Sequence, residues 1–287
     1  MLRTISLKIM KTAVIFTALF SAQMLSANPQ YWQSVKRPIH GNPTPIGSYS
    51  NGCIIGAEAL PFNGEGYQVI RTNKNRYYGH PDMIAYLQRL GKKAKQAGIP
   101  TILIGDIAMP GGGRFLTGHA SHQMGLDADI WLRLGKLSAK DAQDPSGMGL
   151  LVVDRKKQRV IDNLWSKDHE NLIRLAAKDA QVSRIFVNPA IKLKLCQTVQ
   201  GDRNWLQKIR PWFGHDSHFH VRLTCPKGAA YCENQSPVPV GEGCGDELYS
   251  WFEPPKPSTT KPKKVVPEAP FLCQQLISAP NRHEWLE

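Results

Sequence analysis

Five of the nine histidines lie in two short windows, and two aspartates follow the first window closely. The first window is His119–His122, followed by Asp127 and Asp129, and the second is His215–His220. Two imidazoles and one carboxylate suit a catalytic zinc, because three protein ligands leave the fourth position of a tetrahedral ion open for water. A single histidine is most often an ordinary core or surface residue, but two such windows favour a metal site.

Both windows adjoin segments that alternate between apolar and polar residues, as β-strands do. In the first segment, 126–134, apolar residues take the even positions, whereas Asp127 and Asp129 take odd ones. In the second, 218–223, two histidines and an arginine alternate with Phe, Val and Leu. If these strands are neighbours in one sheet, their polar faces bring potential ligands together.

His122 must turn back toward the first strand to share that site. Gly125 lies between the two and permits a sharp bend, because glycine adopts backbone conformations that other residues avoid. We therefore expect His122, Asp129 and a histidine of the second strand to converge. Asp127 is a weaker ligand candidate, and it suits a turn or a partner of a ligand equally well.

The remaining segments predict short strands interleaved with helices. Helices are predicted over 81–96, 170–179 and 189–198, and strands over 67–71, 101–107 and 184–187. Residues 38–66, rich in Pro, Gly, Asn and Ser, predict an irregular, turn-rich segment. The order lacks regular βαβ spacing and favours a single α+β domain, with flanking helices and a central antiparallel sheet that carries the metal site.

Residues 1–27 have the layout of a signal peptide. Basic residues precede an apolar run at 13–20, and small and polar residues then lead to Ala27. The run is short for a membrane span, although an uncleaved anchor is the alternative. We expect an exported protein without stable membrane insertion, whose main domain covers 28–253.

The six cysteines predict three disulfides in an exported chain, and fifteen pairings are possible. Spacing alone argues only for Cys225–Cys232. Residues 254–287 form a predicted C-terminal tail, which begins with a Pro-rich stretch that cannot build a core. Cys273 lies beyond that stretch, so we expect a disulfide to anchor the end of the chain.

The chain is strongly basic, with a net charge of +13 that falls to +10 once the three basic residues of the signal region are subtracted. A basic protein suits nucleic acid, a membrane surface or an acidic polymer. Export argues against nucleic acid and favours an acidic polymer such as a cell wall, although many exported proteins are basic without such a partner. The oligomeric state does not follow from the sequence.

Four motifs, in order along the chain, resemble the penicillin-insensitive murein endopeptidases. They are GHASHQMGLDADI, RIFVNPAIK, RPWFGHDSHFHVRL and SWFEPPKP. This family stands among the lysostaphin-type, D-Ala-D-Ala and hedgehog-type metallopeptidases. The similarity extends from about Trp32 to the region of Cys273.

The resemblance implies a periplasmic zinc hydrolase that cuts the D-alanyl to meso-diaminopimelyl crosslink of peptidoglycan. It implies that His122, Asp129 and His220 hold zinc, and that His218 stands close to the ion without being a main ligand. His218 is then the candidate for proton transfer, because a neutral imidazole near the water can take its proton.

Four further residues have weaker assignments. His215 is a second candidate for binding or proton transfer, with a structural role as its alternative. His119 suits a ligand in an alternative metal state or a partner of a ligand. Arg71 and Arg114 are candidates for holding a substrate carboxylate, although ordinary exposed basic residues are the commoner case.

Three other interpretations compete with this one, and the residues argue against the first, a serine hydrolase. Ser121 and Ser217 each precede a histidine, but neither has the G-x-S-x-G context of a serine hydrolase. Because β-lactams act by acylating a serine, an enzyme without a serine nucleophile would be insensitive to them. A D-Ala-D-Ala carboxypeptidase or dipeptidase would use the same metal in a cleft closed at one end. A zinc-containing module that binds peptidoglycan without catalysis is the third, and the retained pair His218 and His220 argues against it.

Overall fold

The computed structural model describes residues 29–254 and 267–286. The predicted signal peptide, 1–27, lies outside the described residues, as do residues 255–266 of the Pro-rich stretch. Within the described ranges, no helix combines the length and the apolar character that crossing a membrane requires.

Short helices and strands alternate along the chain. The α-helices are α1 (Pro29–Ser34), α2 (Pro81–Gln96), α3 (Ala139–Gln143), α4 (Lys167–Ala177), α5 (Pro189–Thr198), α6 (Asp246–Tyr249), α7 (Phe271–Ser278) and α8 (His283–Leu286). Single 3-10 turns occur at Thr72–Lys74, Asp162–Leu164, Asn204–Lys208 and Ser250–Phe252.

The strands form one large sheet and three small hairpin-like pairs. They are β1 (Thr44–Ser48), β2 (Asn51–Ile55), β3 (Glu58–Ala59), β4 (Asn63–Gly64), β5 (Tyr67–Val69), β6 (Tyr78–Gly79), β7 (Ile102–Ile104), β8 (Asp127–Trp131), β9 (Val153–Asp154), β10 (Arg159–Val160), β11 (Val182–Val187), β12 (Ile209–Pro211) and β13 (His218–Leu223).

The large sheet has seven strands in the order β12-β11-β13-β8-β7-β5-β4. Its centre is antiparallel, because β13 pairs antiparallel with both β11 and β8, and β8 pairs antiparallel with β7. Parallel pairs occur only toward the flanks, between β11 and β12 and between β5 and β7. The predicted α+β architecture with a central antiparallel sheet is confirmed.

The apolar face of the central strands carries the main core. Ala128 and Ile130 of β8 and Phe219 and Val221 of β13 are fully buried. They share one hydrophobic cluster with residues of α2 and α4. Truncating Phe219 to alanine would cost about 3–5 kcal/mol, because a cavity would replace a large buried ring. This packing fixes the opposite, polar face of the same two strands.

Two helices begin and end where the sequence predicts, and each begins at a proline. The helices are α2 and α5, and a proline suits the first helical position because the amide hydrogen it lacks would find no partner there. The side chains of His80 and Asn188 cap them by accepting a backbone N–H.

The prediction of an irregular segment over 38–66 is wrong for its first half. Strands β1 and β2 pair antiparallel over five residues each. The pattern was obscured by glycines: Gly47 has a φ of +80°, and a Cβ there would lie 2.4 Å from the carbonyl oxygen of Asn51. The tight turn therefore requires glycine where strand propensity alone would exclude it.

All six cysteines form disulfides. The predicted Cys225–Cys232 bridge is confirmed, and the others are Cys53–Cys273 and Cys196–Cys244. Cys53–Cys273 ties the C-terminal extension to β2, as expected. Beside it, Ile277 and Trp285 are buried against the N-terminal helix in a second apolar cluster. The division between domain and tail at residue 254 stays a prediction.

Candidate metal centre

The register of two strands places the downstream histidines beside the aspartates. His220 of β13 lies directly opposite Asp129 of β8, and His218 lies opposite Trp131. Residues opposite one another in a sheet project from the same face. The imidazole of His220 is therefore in contact with the Asp129 carboxylate, with 3.2 Å between Nδ1 and Oδ1.

A sharp bend before β8 returns His122 to this site, as predicted. Gly125 has a φ of +71° and His122 itself has a φ of +69°. A Cβ at Gly125 would lie 2.8 Å from the backbone nitrogen of His80, so no other residue fits without a shift. The backbone N–H of His122 donates to Asp127 Oδ2 at 3.0 Å, which holds the bend closed.

The ring of His122 is oriented by a backbone carbonyl. Its Nδ1 lies 2.7 Å from the oxygen of Ile107, so we assign the proton to Nδ1 and a free lone pair to Nε2. That Nε2 lies 3.4 Å from Asp129 Oδ1. Both atoms are buried, and neither has a hydrogen-bond partner among the described residues. Burying two polar atoms without hydrogen-bond partners costs folding free energy unless a further group interacts with them.

Four side chains converge at this point and can hold a metal ion. One ligand atom from each lies within 4.8 Å of all the others, and they belong to His119, His122, Asp129 and His220. His119 Nε2 is 3.3 Å from Asp129 Oδ2. Three imidazoles and one carboxylate match the donors that zinc and neighbouring transition metals prefer. The orphaned atoms and the donor set both fit such an ion.

A buried ion pair orients His220 from behind. Asp127 Oδ1 lies 3.0 Å from His220 Nε2, and it accepts a 2.8 Å hydrogen bond from Arg222 Nε. With Nε2 facing this carboxylate, Nδ1 is the atom available to a metal. Carboxylate partners of this kind fix the tautomer and the angle of metal-binding histidines. Asp127 therefore contacts both the bend, through the His122 N–H, and the ring of His220.

Neighbouring opposite charges set the protonation states of Asp127 and His220. Burial alone would raise the pKa of Asp127, but Arg222 and His220 outweigh it and lower that pKa. Burial likewise opposes charge on His220, yet Asp127 and Asp129 raise its pKa to about 9.

Burial keeps three histidines around this pair, His119, His215 and His218, neutral. Asp129 favours a charged His119, but burial and the neighbouring imidazoles outweigh it and lower the pKa of His119 to about 4. Burial lowers the pKa of His218 despite the attraction of Asp129. Burial also lowers the pKa of His215 to about 3, with His218 and His220 adding to the effect. Neutral imidazoles at neutral pH can bind a metal or accept a proton.

His218 and His215 stand at the open side of the cluster. His218 Nε2 is 3.7 Å from Asp129 Oδ1 and has no hydrogen-bond partner among the described residues. The rings of His215 and His218 lie 5.0 Å apart between centroids. His218 is 19% exposed, whereas His122 and His220 are almost inaccessible. Its ring is therefore partly open to solvent, although the Nε2 atom itself is buried.

The sequence analysis gave no role to Asp106 and Phe115, which support the site. The backbone of Asp129 donates to the oxygen of Asp106 at 2.9 Å, and the Asp106 carboxylate pairs with Arg76 at 3.0 Å. Arg76 lies over the ring of Phe115, which in turn stacks on His122. The available signal was an aspartate two residues after the end of the apolar strand β7.

Surface cavities flank the histidine cluster on both sides along the sheet. One, of about 400 Å³, lies near the end of β11 and is bordered by Asn188, Gly214 and Trp251. Another, of about 230 Å³, lies toward β5 and is bordered by Trp131. The cluster thus lies between two cavities.

A known enzyme family matches the part of the chain that contains this site. A family described as penicillin-insensitive murein endopeptidase matches residues 45–278, which include every residue of the cluster. The chain belongs to this family.

Relatives that bear the same name match over nearly their full lengths. One from Haemophilus influenzae is 69% identical over 283 residues, covering 97% of this chain and 99% of the relative. One from Klebsiella pneumoniae is 52% identical and covers 93% of this chain and 98% of the relative. One from Salmonella newport is also 52% identical. As a member of the penicillin-insensitive murein endopeptidase family, the chain is a peptidase, and its candidate metal centre lies inside the matched region.

Proposed function

We propose that the chain is a zinc-dependent endopeptidase that hydrolyses the D-alanyl to meso-diaminopimelyl crosslink of peptidoglycan. The convergence of His119, His122, Asp129 and His220 on one point carries this proposal. Membership of the murein endopeptidase family supports the substrate. The three disulfides and the signal-peptide layout of residues 1–27 support action in the periplasm.

We assign zinc binding to His122 through Nε2, to Asp129, and to His220 through Nδ1. Bound there, zinc would lower the pKa of a water to about 7 and polarise the scissile carbonyl. His119 is 21% exposed, whereas the other three are buried, so it is the ligand that can yield its place to water. Asp127 and Arg222 keep His220 in the orientation that binding requires.

His218 is the group we assign to proton transfer. Its neutral ring takes a proton from the attacking water and then gives it to the amine that leaves. Since Nε2 has no hydrogen-bond partner in the described part of the chain, it is free to do both. His215 lies beside it, and burial lowers the pKa of His218, which keeps it a proton acceptor at neutral pH.

The two flanking cavities favour an endopeptidase over a carboxypeptidase. A crosslinked polymer extends to both sides of the scissile bond, and cavities lie on both sides of the cluster. The partly exposed His218 beside the ligands also argues against a module that binds zinc without catalysis. The strong positive charge suits a substrate with free carboxylates.

Digestion of purified crosslinked peptidoglycan tests the proposal. Wild-type protein should convert dimeric muropeptides to monomers, a chelator should stop the reaction, and added zinc should restore it. His122→Ala should lose both zinc and activity, whereas His40→Ala, which changes an exposed histidine outside the cluster, should keep both. Intact crosslinks with zinc bound and the protein still attached to the wall would overturn the proposal in favour of a binding module.

A further inference from the structure

A cavity of about 230 Å³ lies beside the candidate metal centre, and none of its charged lining residues has a part in the proposed function. It lies between the 3-10 turn that ends at Lys74 and the loop 144–149, with the indole of Trp131 as its wall. Its charged borders are Arg71, Lys74 and Asp144. The volume suits the head group of an amino acid rather than a whole peptide.

The cavity shares structural elements with the metal centre. Trp131 is opposite His218 in the sheet, and its Nε1 donates to the oxygen of Gly105 at 3.0 Å. Arg71 pairs with Asp106 at 3.1 Å, and Asp106 bonds the backbone of Asp129. Trp131 is two residues from Asp129 on the same strand face, about 6.5–7 Å along the strand. A peptide bound at the metal therefore reaches the cavity within one residue.

The charges around the cavity are not balanced among themselves. Arg71 and Arg76 both pair with the single carboxylate of Asp106, so one positive charge remains. Lys74 is exposed and forms no ion pair within the described ranges. Asp144 bonds the hydroxyl of Ser146, and this bond, with Lys74 and Arg71 nearby, lowers its pKa. Two cationic groups and one carboxylate thus face one small space.

This combination matches a group that carries both a carboxylate and an ammonium. Arginine and lysine bind a carboxylate by charge-assisted hydrogen bonds, and the carboxylate of Asp144 can accept those of an ammonium. The face of an indole attracts cations and covers apolar stems. A diaminopimelyl residue has two α-amino carboxylate ends, and the end outside the peptide chain is free unless it is crosslinked.

We propose that this cavity binds the free α-amino carboxylate end of a diaminopimelyl residue in the crosslinked peptide. Arg71 and Lys74 hold its carboxylate, and Asp144 holds its ammonium. The inference rests on the proposed function and adds a specificity site to it. Binding there places the peptide along the cleft and fixes which bond lies over the metal.

Three dimeric muropeptides test the inference. In one, the free diaminopimelyl end is unmodified; in the second, its carboxylate is amidated; in the third, its amine is acetylated. Wild-type kcat and KM are measured on each, beside Lys74→Met, Asp144→Asn and the control Lys92→Met, an exposed lysine on α2 outside the cavity. Each modification should raise the wild-type KM about tenfold with little change in kcat, which corresponds to about 1.4 kcal/mol.

Each variant should lose discrimination against only one of the two modified substrates. Lys74→Met should discriminate less between the amidated and free substrates, because Arg71 alone then holds the carboxylate. Asp144→Asn should cleave the acetylated and free ones with nearly equal KM. Lys92→Met should behave as wild type. Equal cleavage of all three substrates by wild type, or unchanged discrimination in both variants, overturns this inference alone. A wild type that cleaves none of them overturns the proposed function and this inference with it.

Discussion

His220 and Asp129 stand directly opposite one another in adjacent antiparallel strands, with 3.2 Å between Nδ1 and Oδ1. The pairing places an imidazole and a carboxylate of the candidate metal centre in the middle of the seven-stranded sheet. A shift of one residue in this register would move either side chain to the apolar face. The packing of Ile130 and Phe219 on that opposite face therefore protects the geometry of the metal centre.

Replacing His218 by alanine should separate catalysis from metal binding. We expect zinc content to stay near that of wild type, because His218 is not one of the four converging ligands. Hydrolysis of the crosslink should fall by about 10²–10⁴-fold, since general acid–base catalysis contributes that much. Metal analysis and muropeptide chromatography on the same preparation check both expectations. Loss of zinc together with activity would show that His218 is a ligand instead.

Replacing Asp127 by asparagine should weaken metal binding without removing a ligand. The amide cannot hold the His220 ring as the carboxylate does, and partners of this type contribute about 10–100-fold to metal affinity. Competition with a chromophoric chelator measures the zinc dissociation constant. Asp246→Asn, at an exposed position far along the chain, provides the charge-matched control. An affinity within twofold of wild type would contradict the role of Asp127.

The Cys53–Cys273 disulfide should contribute more to stability than Cys225–Cys232. The first spans 220 residues of sequence and the second only 7. In the chain-entropy description, a crosslink that closes a longer loop restricts the unfolded chain more. Replacing both cysteines of Cys53–Cys273 by alanine should lower the free energy of unfolding by about 2–5 kcal/mol, measured by denaturant titration. An equal or larger loss from the Cys225–Cys232 double variant would contradict this ranking.

Lys192 should make stability rise with pH above neutrality. Its side chain is fully buried, and its Nζ donates to the backbone oxygens of Leu206 and Glu242. Burial lowers its pKa to about 7, with Arg210 adding to the effect. Below that pH the lysine is charged in both the folded and the unfolded chain. Above it the folded protein has lost a proton that the unfolded chain still binds, so the free energy of unfolding rises.

The measurement compares Lys192→Met with wild type in denaturant titrations from about pH 6 to pH 10. The free energy of unfolding of wild type should rise relative to the variant, by on the order of 3 kcal/mol over this range. Lys92→Met, which changes an exposed lysine, should run parallel to wild type. Parallel curves for Lys192→Met would mean that the buried amine titrates alike in both states.

The sequence by itself determined the ligand types and the strands that carry them. Alternation predicted β8 and β13, because a strand that is buried on one face must repeat its apolar residues every second position. Glycine in the bend predicted the return of His122. The helices α2 and α5 were also predictable, since proline and capping residues act locally. By contrast, β1 and β2 were missed, because the glycines that their turn and close contacts require are typical of loops.

Only the tertiary structure decided which residues face one another. No local signal shows that Asp127 would meet both Arg222 and His220, since the register between two distant strands depends on the packing of the whole sheet. The contact of Arg71 with Asp106 and the cavity beside Trp131 join segments that are far apart in the chain. Side-chain type and spacing are encoded locally, whereas distance and burial, and therefore charge and reactivity, arise only when the core brings those segments together.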